Sequence, residues 1–240
     1  MTSRSFNRTV LIDKDVGEIS LVNSGHMAAI DHAASERFGI TSSILMENAG
    51  IKALIAIQQE IWRRTVPTDP ITILAGRGNN GGDALVMARQ LHFAGAQDLK
   101  VVLSNGEPIS GSQCAVNLAM CRSLGIEISS DLGDVVSRSG WVIDGMTGTG
   151  VRGPLTGPPA LLTEQVNQSA MRVISLDTPS GVGDQFTADI PVVHADWTIA
   201  LELPKSALYR PLARAACGNI IIVPIGFPKE LTCVSGAKAR

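Results

Sequence analysis

The chain has 240 residues, of which 45% are hydrophobic and 18% are charged, and its formal net charge is −2. This length and composition fit one α/β domain with a sizeable core and exclude a disordered chain. The near-neutral charge, the lack of a long basic run and an aromatic content of 4% disfavour a nucleic-acid-binding surface, so no nucleic-acid partner is expected.

The cysteines and the hydropathy pattern favour a cytoplasmic location. Cys114, Cys121, Cys217 and Cys233 form no CxxC pair, and such spacing predicts free thiols in a reducing compartment. No stretch reaches the roughly 18 apolar residues of a membrane span, so no membrane partner is expected. Residues 1–10 lack the apolar core of a secretory signal, while a short organellar transit peptide stays open.

The sequence predicts an N-terminal arm at residues 1–20, one domain at residues 21–228 and a C-terminal tail at residues 229–240. The first helix of the domain carries apolar residues at helical spacing around Ile30. A second, largely apolar helix is predicted from about Ile44 to Arg64, after a Thr-Ser-Ser cap.

Short apolar strands and helices then alternate along the chain. The predicted strands cover residues 71–75, 100–104, 127–128, 141–144, 173–177, 196–200 and 219–223. The predicted helices between them cover residues 83–94, 110–124 and 159–169. This alternation predicts βαβ units, and therefore a mostly parallel sheet with helices on both faces, an α/β fold.

The turn from Gly76 to Asp83 follows the first strand of this series. Its glycines match GxGxxG, and the helix start after it offers unpaired N–H groups that suit a phosphate. An ordinary dinucleotide site also needs an acidic residue at the end of the next strand, where Ser104 and Asn105 stand instead. A glycine-rich turn that only packs is the alternative interpretation.

Two further strand ends carry aspartates beside glycine-rich turns, at Asp144 and at Asp177. Either aspartate taken alone is also explained as a turn or cap residue. In parallel sheets, however, ligands bind at the carboxyl ends of the strands, so the three turns are expected to meet in one polar crevice. There Asn80, Asp144 and Ser180 offer oxygens for a hard, monovalent cation, and Asp177 remains for acid–base work.

The segment from Gly78 to Asp83 resembles the signature of the YjeF N-terminal domain family, the NAD(P)HX epimerases. The resemblance runs from about Met27 to Pro228. Its other motifs lie at residues 45–50, 144–150, 177–181, 196–198, 203–205 and 225–228.

The resemblance implies a Rossmann-like three-layer sandwich that works as a homodimer without a fused dehydratase domain. The implied reaction interconverts the R and S forms of NADHX and NADPHX, which are nicotinamide cofactors hydrated at C6 of the reduced ring. The implied functional partner is a separate ADP- or ATP-dependent dehydratase that acts on the S form, so that the two activities together repair the cofactor.

The resemblance also implies site residues. Potassium is expected on Asn80, Asp144 and Ser180, and Asp177 is the expected catalytic residue, which also contacts the substrate. The other expected substrate contacts are Asn79, Asn80, Gly81, Gly82, Asp83, Gly148, Thr149, Gly150, Val151, Arg152, Gly153 and Pro154.

Some positions depart from the family pattern, and some roles stay open. Ala84, Met146, Thr178 and the pair Ser206–Ala207 differ from the usual residues, which is expected to affect substrate fit more than activity. Lys205 either faces the crevice or is solvated. Arg152 either adds positive charge for the phosphates or lies on a solvated loop.

Two rival functions remain at this point. One is a non-catalytic scaffold or ligand-binding domain of the same family, and the other is a different nucleotide-handling enzyme on the same fold. A domain that had lost catalysis is expected to lose its crevice carboxylates. Because Asp83, Asp144 and Asp177 are all present, the sequence favours the enzyme.

Overall fold

The computed structural model describes residues 8–11, 20–133, 140–187 and 190–232. Within these ranges, one sheet has eight strands. They are β1 (Thr9–Leu11), β2 (Ile71–Ala75), β3 (Leu99–Leu103), β4 (Glu127–Ser129), β5 (Trp141–Gly145), β6 (Arg172–Leu176), β7 (Trp197–Leu201) and β8 (Asn219–Val223). Their spatial order is β1-β8-β7-β6-β5-β2-β3-β4, and each neighbouring pair is parallel.

The helices lie on both faces of this sheet. They are α1 (Ser24–Phe38), α2 (Ser42–Glu60), α3 (Asn79–Phe93), α4 (Gln113–Ser123), α5 (Pro158–Gln168), α6 (Pro211–Arg214) and α7 (Lys229–Thr232), with a 3₁₀ turn at Ser206–Tyr209. Local capping fixes several ends. The Asn23 side chain accepts a hydrogen bond from the N–H of His26 at the start of α1, and Gly39 ends that helix at a φ of 68°.

The hydrophobic core lies on both faces of the sheet, between the sheet and the helices, as in a three-layer fold. On one face, Ile73 and Ile143 pack with buried side chains of α1 to α4. On the other face, the neighbouring strand residues Leu74 and Val142 pack against Leu162 of α5. Alternate residues of a strand point to opposite faces, so these short apolar strands are buried on both sides. The α/β three-layer prediction is therefore confirmed.

The sheet reverses its direction of growth between β2 and β5. From β2 the chain builds outward through β3 and β4, and it then returns to the other side of β2 to build β5 to β8. Ligands bind at such a switch point, outside the carboxyl ends of the strands. The topology therefore directs attention to the turns after β2 and β5, and to the turn after β6 next to them.

Several predicted boundaries were wrong. Residues 9–11 do not belong to a loose arm, because they form the edge strand β1, which pairs with β8. Helix α2 ends at Glu60 rather than near Arg64, since Arg63 and Arg64 adopt φ angles of 52° and 69°. The predicted tail begins with the short helix α7, while residues 233–240, including Cys233, lie outside the described residues.

In the described part of the chain, no single helix has the length and hydropathy to cross a membrane. Helices α1 and α2 meet those limits only when taken together, across a bend of 119°.

Candidate active site

The turns after β2, β5 and β6 meet at Thr147. Its carbonyl oxygen accepts a hydrogen bond from Asn80 Nδ2 at 2.9 Å, and its backbone N–H donates to Ser180 Oγ at 2.9 Å. Its hydroxyl Oγ1 accepts from the N–H of Gly181 at 3.1 Å. Thr147 thus contacts one residue of the turn after β2 and two residues of the turn after β6. No sequence motif predicts this role of Thr147, because a junction formed mainly by backbone groups leaves no motif.

Asp144 is fully buried beneath this junction. Its carboxylate accepts hydrogen bonds from Ser175 Oγ at 2.8 Å, from Ser180 Oγ at 2.5 Å and from the N–H groups of Ser180 and Met146 at 2.8 and 3.2 Å. Burial raises the pKa of Asp144, and the hydrogen bonds from Ser180, Ser175 and Met146 counteract part of that rise. The carboxylate therefore holds the turn after β6 against the end of β5.

The expected cation ligands lie together around the same junction. Asn80 Oδ1 is buried and has no hydrogen-bond partner among the described residues, although the Nδ2 of the same amide donates to Thr147 O. Ser180 Oγ lies 3.4 Å from Thr147 O and 2.5 Å from Asp144 Oδ1. A buried acceptor without a donor requires an explanation, and a cation bound to neutral oxygens and one carboxylate supplies it. The residues present fit a hard, monovalent ion.

Among the described residues, no group of three or more His, Cys, Asp or Glu side chains is placed to bind a metal. The described thiols do not offer a reactive group either. Cys114, Cys121 and Cys217 are free and buried, and burial raises their pKa values to about 11, 11 and 12. These thiols are protonated at neutral pH and are therefore poor nucleophiles.

The turn after β2 begins helix α3 at Asn79, four residues earlier than predicted. Asn80, Gly81 and Gly82 are buried in the first turn of the helix, and Asn79 is exposed. A Cβ on Gly82 would lie 2.5 Å from the Met46 side chain, and one on Gly81 would overlap the Gly76 carbonyl oxygen. The glycines therefore pack closely against neighbouring residues. The same packing places the N-terminus of α3 next to the junction at Thr147.

Gly76 marks the closest approach of the first two turns, and we expect Gly76→Ala to lower the free energy of unfolding by about 3 kcal/mol. A Cβ there would overlap the carbonyl oxygen of Met146, and a backbone atom cannot rotate away. Urea unfolding followed by fluorescence measures the effect, because Trp62, Trp141 and Trp197 are the chain's only tryptophans and cluster at the amino ends of the strands.

Gly78→Ala is the matched control, since no atom lies within 4 Å of a Cβ at that position. Equal unfolding midpoints for the two alanine variants would contradict the close-approach argument.

The turn from Gly148 to Pro154 borders the junction on its exposed side. The N–H of Val151 donates to Gly148 O at 3.2 Å, and Gly153 adopts a φ of 75°. Thr149, Val151 and Gly153 are half-buried, whereas Gly150, Arg152 and Pro154 are exposed. A Cβ on Gly148 would lie 3.4 Å from Asn80 Cβ and 3.6 Å from Asp177 Oδ2. Gly148 thus lies between Asn80 and Asp177.

Asp177 has an unusual backbone conformation. Its φ is 62°, in the left-handed region that non-glycine residues rarely adopt. The N–H of Thr178 donates to Leu176 O at 2.7 Å, closing a three-residue turn, while the N–H of Asp177 donates to Ile199 O on β7 at 2.8 Å. Such a conformation costs about 1–3 kcal/mol and is retained at functional sites when the surroundings enforce it.

The structure shows whether Lys205 faces the site or is solvated, the two alternatives that the sequence left open. Its side chain is only 3% exposed and forms an ion pair with Asp177 Oδ1. Its Nζ also donates to the carbonyl oxygen of Leu201 at 2.8 Å. The solvated alternative is therefore wrong, and Lys205 faces the site. A lysine just past a strand end, next to a proline, was the available signal.

Two further carboxyl groups lie close enough to Asp177 and Lys205 for electrostatic interaction. Burial raises the pKa of Asp31 on α1 to about 6, with Lys205 lowering and Asp177 raising it. Burial also raises the pKa of Asp83 well above its usual range, with further contributions from Asp177, Lys205 and Asp31. A carboxyl group with a raised pKa keeps its proton to higher pH than usual, and its protonated form can donate a hydrogen bond. No sequence pattern identified Asp31.

The departures from the family pattern lie mostly in the interior. Met146, Thr178 and Ala84 are buried, and Ala207 is 1% exposed. Met146 belongs to the apolar cluster on the α5 face, and a Cβ on Gly145 would lie 2.5 Å from Ala84 Cβ. These side chains thus contact protein under the site, and their first effect is on packing. Half-buried Ser206 continues the same segment.

Comparison with known families supports the assignment of the fold and the site region. The model of the family described as YjeF-related protein N-terminus matches residues 42–207, which is more than half of the chain. The chain belongs to this family. The matched segment contains all three turns and Lys205, while Asp31 precedes it.

Curated relatives fall into two groups. The chain is 31% identical over 224 residues to an NAD(P)H-hydrate epimerase of Rhodopirellula baltica, covering 91% of this chain and 89% of the relative. It is 30% identical over 202 residues to an NAD(P)H-hydrate epimerase of Limosilactobacillus fermentum, covering 84% and 94%. It is 31% identical to a bifunctional NAD(P)H-hydrate repair enzyme Nnr of Moorella thermoacetica, with 92% of this chain matched but only 43% of that relative.

Among solved structures, the crystal structure of yeast ynu0 superposes with a TM-score of 0.73 at 22% sequence identity. The match covers 89% of this chain and 92% of the yeast chain, and it shows that the two share a fold.

Proposed function

We propose that the chain is an NAD(P)H-hydrate epimerase, which interconverts the R and S forms of NADHX and NADPHX for cofactor repair. The observation that carries the proposal is the Asp177 carboxylate, which is held in a left-handed turn next to the switch point of the sheet, with Oδ2 on the side of Gly148. The curated names of relatives that the chain covers almost completely support the same substrate.

The chemistry of the substrate explains the need for such a carboxylate. C6 of the hydrated ring carries both a hydroxyl group and the ring nitrogen, so its configuration inverts without breaking a carbon–carbon bond. In one route, Asp177 Oδ2 takes the hydroxyl proton, the C6–N1 bond breaks, its electron pair goes to N1, and C6 becomes an aldehyde. Attack of N1 on the other face of the aldehyde, with return of the proton to O6, gives the opposite isomer. In the alternative route hydroxide leaves C6 and water returns.

Both routes need a proton acceptor and donor at O6, and a positioned side chain contributes about 10²–10⁴-fold to the rate. The first turn of α3, with Asn79 to Asp83, and the turn from Gly148 to Pro154 would hold the pyrophosphate and ribose through backbone N–H groups. The raised pKa of Asp83 favours its protonated form, which would offer a hydrogen-bond donor near Asp177. Arg152 is exposed at the rim, where it would meet the phosphates.

Asn80, Asp144 and Ser180 would hold a potassium ion. When bound, the ion supplies a fixed positive charge that orients the three turns and the oxygens around it. The unpartnered Asn80 Oδ1 supports this assignment.

Potassium chloride is therefore expected to raise the thermal unfolding midpoint relative to choline chloride at equal ionic strength. An ion at 100 times its Kd stabilises the folded state by about 2.7 kcal/mol. Asn80→Ala should abolish this difference, and exposed Asn79→Ala is the matched control. Equal midpoints in the two salts for the wild type would contradict the cation site.

We also propose that the active unit is a homodimer and that a separate ADP- or ATP-dependent dehydratase uses its product. The Moorella thermoacetica relative, named bifunctional, supports the coupling. Light scattering after size-exclusion chromatography measures the oligomeric state, and a monomeric mass at micromolar concentration would contradict the dimer.

The direct test uses purified R-NADHX. The R and S isomers are separated chromatographically at successive times, and the initial rate is compared with that of buffer alone. We expect a rate proportional to protein concentration, with equilibration approached from either isomer. An unchanged spontaneous rate at high protein concentration would contradict the epimerase.

A further inference from the structure

We propose that Lys205 is a positioning residue, which holds the Asp177 carboxylate in the orientation that accepts the substrate proton. This inference rests on the proposed epimerase function. The Lys205 side chain is 3% exposed, and its Nζ donates to two acceptors, Asp177 Oδ1 and the carbonyl oxygen of Leu201. A buried ammonium group needs such partners, since an unpaired buried charge is strongly unfavourable.

The ion pair makes the two oxygens of Asp177 different. Oδ1 is bound by Lys205, whereas Oδ2 accepts no hydrogen bond from the described residues and lies on the side of Gly148. Gly148 has no side chain to fill the space in front of Oδ2. A single oxygen is therefore presented to the substrate, in a direction that the lysine fixes.

The same contacts stabilise the strained backbone of Asp177. Strand β6 ends at Leu176 and pairs with β7, which ends at Leu201. By binding both the Asp177 side chain and Leu201 O, Lys205 links the left-handed turn to the neighbouring strand. Strained conformations persist where several interactions enforce them together.

Charge gives Lys205 a second effect on the same carboxylate. Asp177 faces Asp31 from α1 and Asp83 from α3, so three carboxyl groups share one ammonium group. Helix α1 is fixed nearby, since the N–H of Val22 donates to Pro204 O and the N–H of Ser206 donates to Val22 O. Without the ammonium charge, the Asp177 carboxylate would face the other two carboxyl groups with no positive charge between them.

The experiment is a double-mutant cycle on the purified full chain, with R-NADHX as substrate. Lys205→Met should lower kcat by about 10²-fold, the usual consequence of misplacing a catalytic group by about 1 Å. KM should change by less than about threefold, because the lysine does not contact the substrate. In the Asp177→Asn background, Lys205→Met should change the rate by less than about twofold, since the lysine acts only through Asp177.

The pH dependence of kcat provides a readout that a purely structural role would not move. The acid limb should shift to higher pH in Lys205→Met, because loss of the ammonium charge favours protonated Asp177, and Lys205→Arg should restore the wild-type limb. Tryptophan fluorescence shows whether Lys205→Met folds. If it does not, Lys205→Gln, which keeps a neutral hydrogen-bond donor, replaces it in the experiment. Lys100→Met, which removes a lysine paired with Glu127 at the far side of the sheet, is the control.

The outcomes separate the two proposals. Absence of epimerase activity in the wild-type protein would contradict the proposed function itself. An active wild type with normal kcat and an unmoved acid limb in folded Lys205→Met or Lys205→Gln would overturn only the role of Lys205. A further tenfold loss on adding Lys205→Met to Asp177→Asn would also overturn it, because the lysine would then act on the substrate independently.

Discussion

Asp177→Asn should lower the rate of R-to-S interconversion by about 10²–10⁴-fold while leaving the protein folded. Asparagine tolerates the left-handed conformation that Asp177 adopts at φ 62°. Its amide oxygen can still accept the hydrogen bond from Lys205 Nζ. The substitution thus preserves the turn and removes the carboxylate that we propose exchanges a proton with O6 of the substrate.

The measurement is the initial rate with purified R-NADHX, together with the thermal midpoint of the same preparation. Asp69→Asn is the matched control, because Asp69 pairs with Arg172 near the amino ends of the strands, and its rate should stay unchanged. A folded Asp177→Asn protein with the wild-type rate would exclude Asp177 from the mechanism.

Asp144→Ala is expected to have the largest effect on stability, a loss of more than about 3 kcal/mol of unfolding free energy. The carboxylate is fully buried and accepts hydrogen bonds from Ser175, Ser180 and Met146. Alanine leaves these donors without partners inside the protein. The variant should also lose the proposed stabilisation by potassium, since it lacks the carboxylate that we propose binds the ion.

Urea unfolding at neutral pH measures this loss. Ser175→Ala removes one of the donors and keeps the carboxylate, so it should cost about 1 kcal/mol. If Asp144→Ala were no less stable than Ser175→Ala, Asp144 would not organise the junction as described.

Much of the fold follows from the sequence because parallel strands leave a simple pattern. Strands such as Ile71–Ala75 are short apolar runs that are buried on both faces, and helical spacing lies between them. The convergence of the three turns was also predictable, because the carboxyl ends of parallel strands share one edge of the sheet. Asn80, Asp144 and Ser180 accordingly lie together, although their role as cation ligands stays a prediction.

The remaining features depend on contacts that no local pattern encodes. Helix α3 starts at Asn79 although Asn and Gly are poor helix formers, because close packing of Gly76 and Gly81 fixes the chain there. Thr147 joins the turns mainly through its backbone. Asp31 reaches the site because Val22 pairs with the segment around Lys205, on a helix that precedes the matched family segment.

The direction of the pKa shifts could not be predicted from the sequence either. Packing around Asp31, Asp83 and Asp144 raises their pKa values, although of these three Asp144 alone is fully buried, and their sequence neighbours give no indication of this. The sequence identified Asp83 and Asp177 as equivalent crevice carboxylates. The structure differentiates them, since among the described residues Lys205 forms an ion pair with Asp177 and not with Asp83.

The most direct test of the central claim is a coupled assay on a mixture of R- and S-NADHX with a dehydratase specific for the S form. We expect the dehydratase alone to stop when the S isomer is consumed, apart from slow spontaneous equilibration. Addition of this protein should allow the R isomer to be consumed as well, at a rate that rises with its concentration and falls in Asp177→Asn. Consumption of R-NADHX at the spontaneous rate, whatever the amount of wild-type protein, would contradict the account.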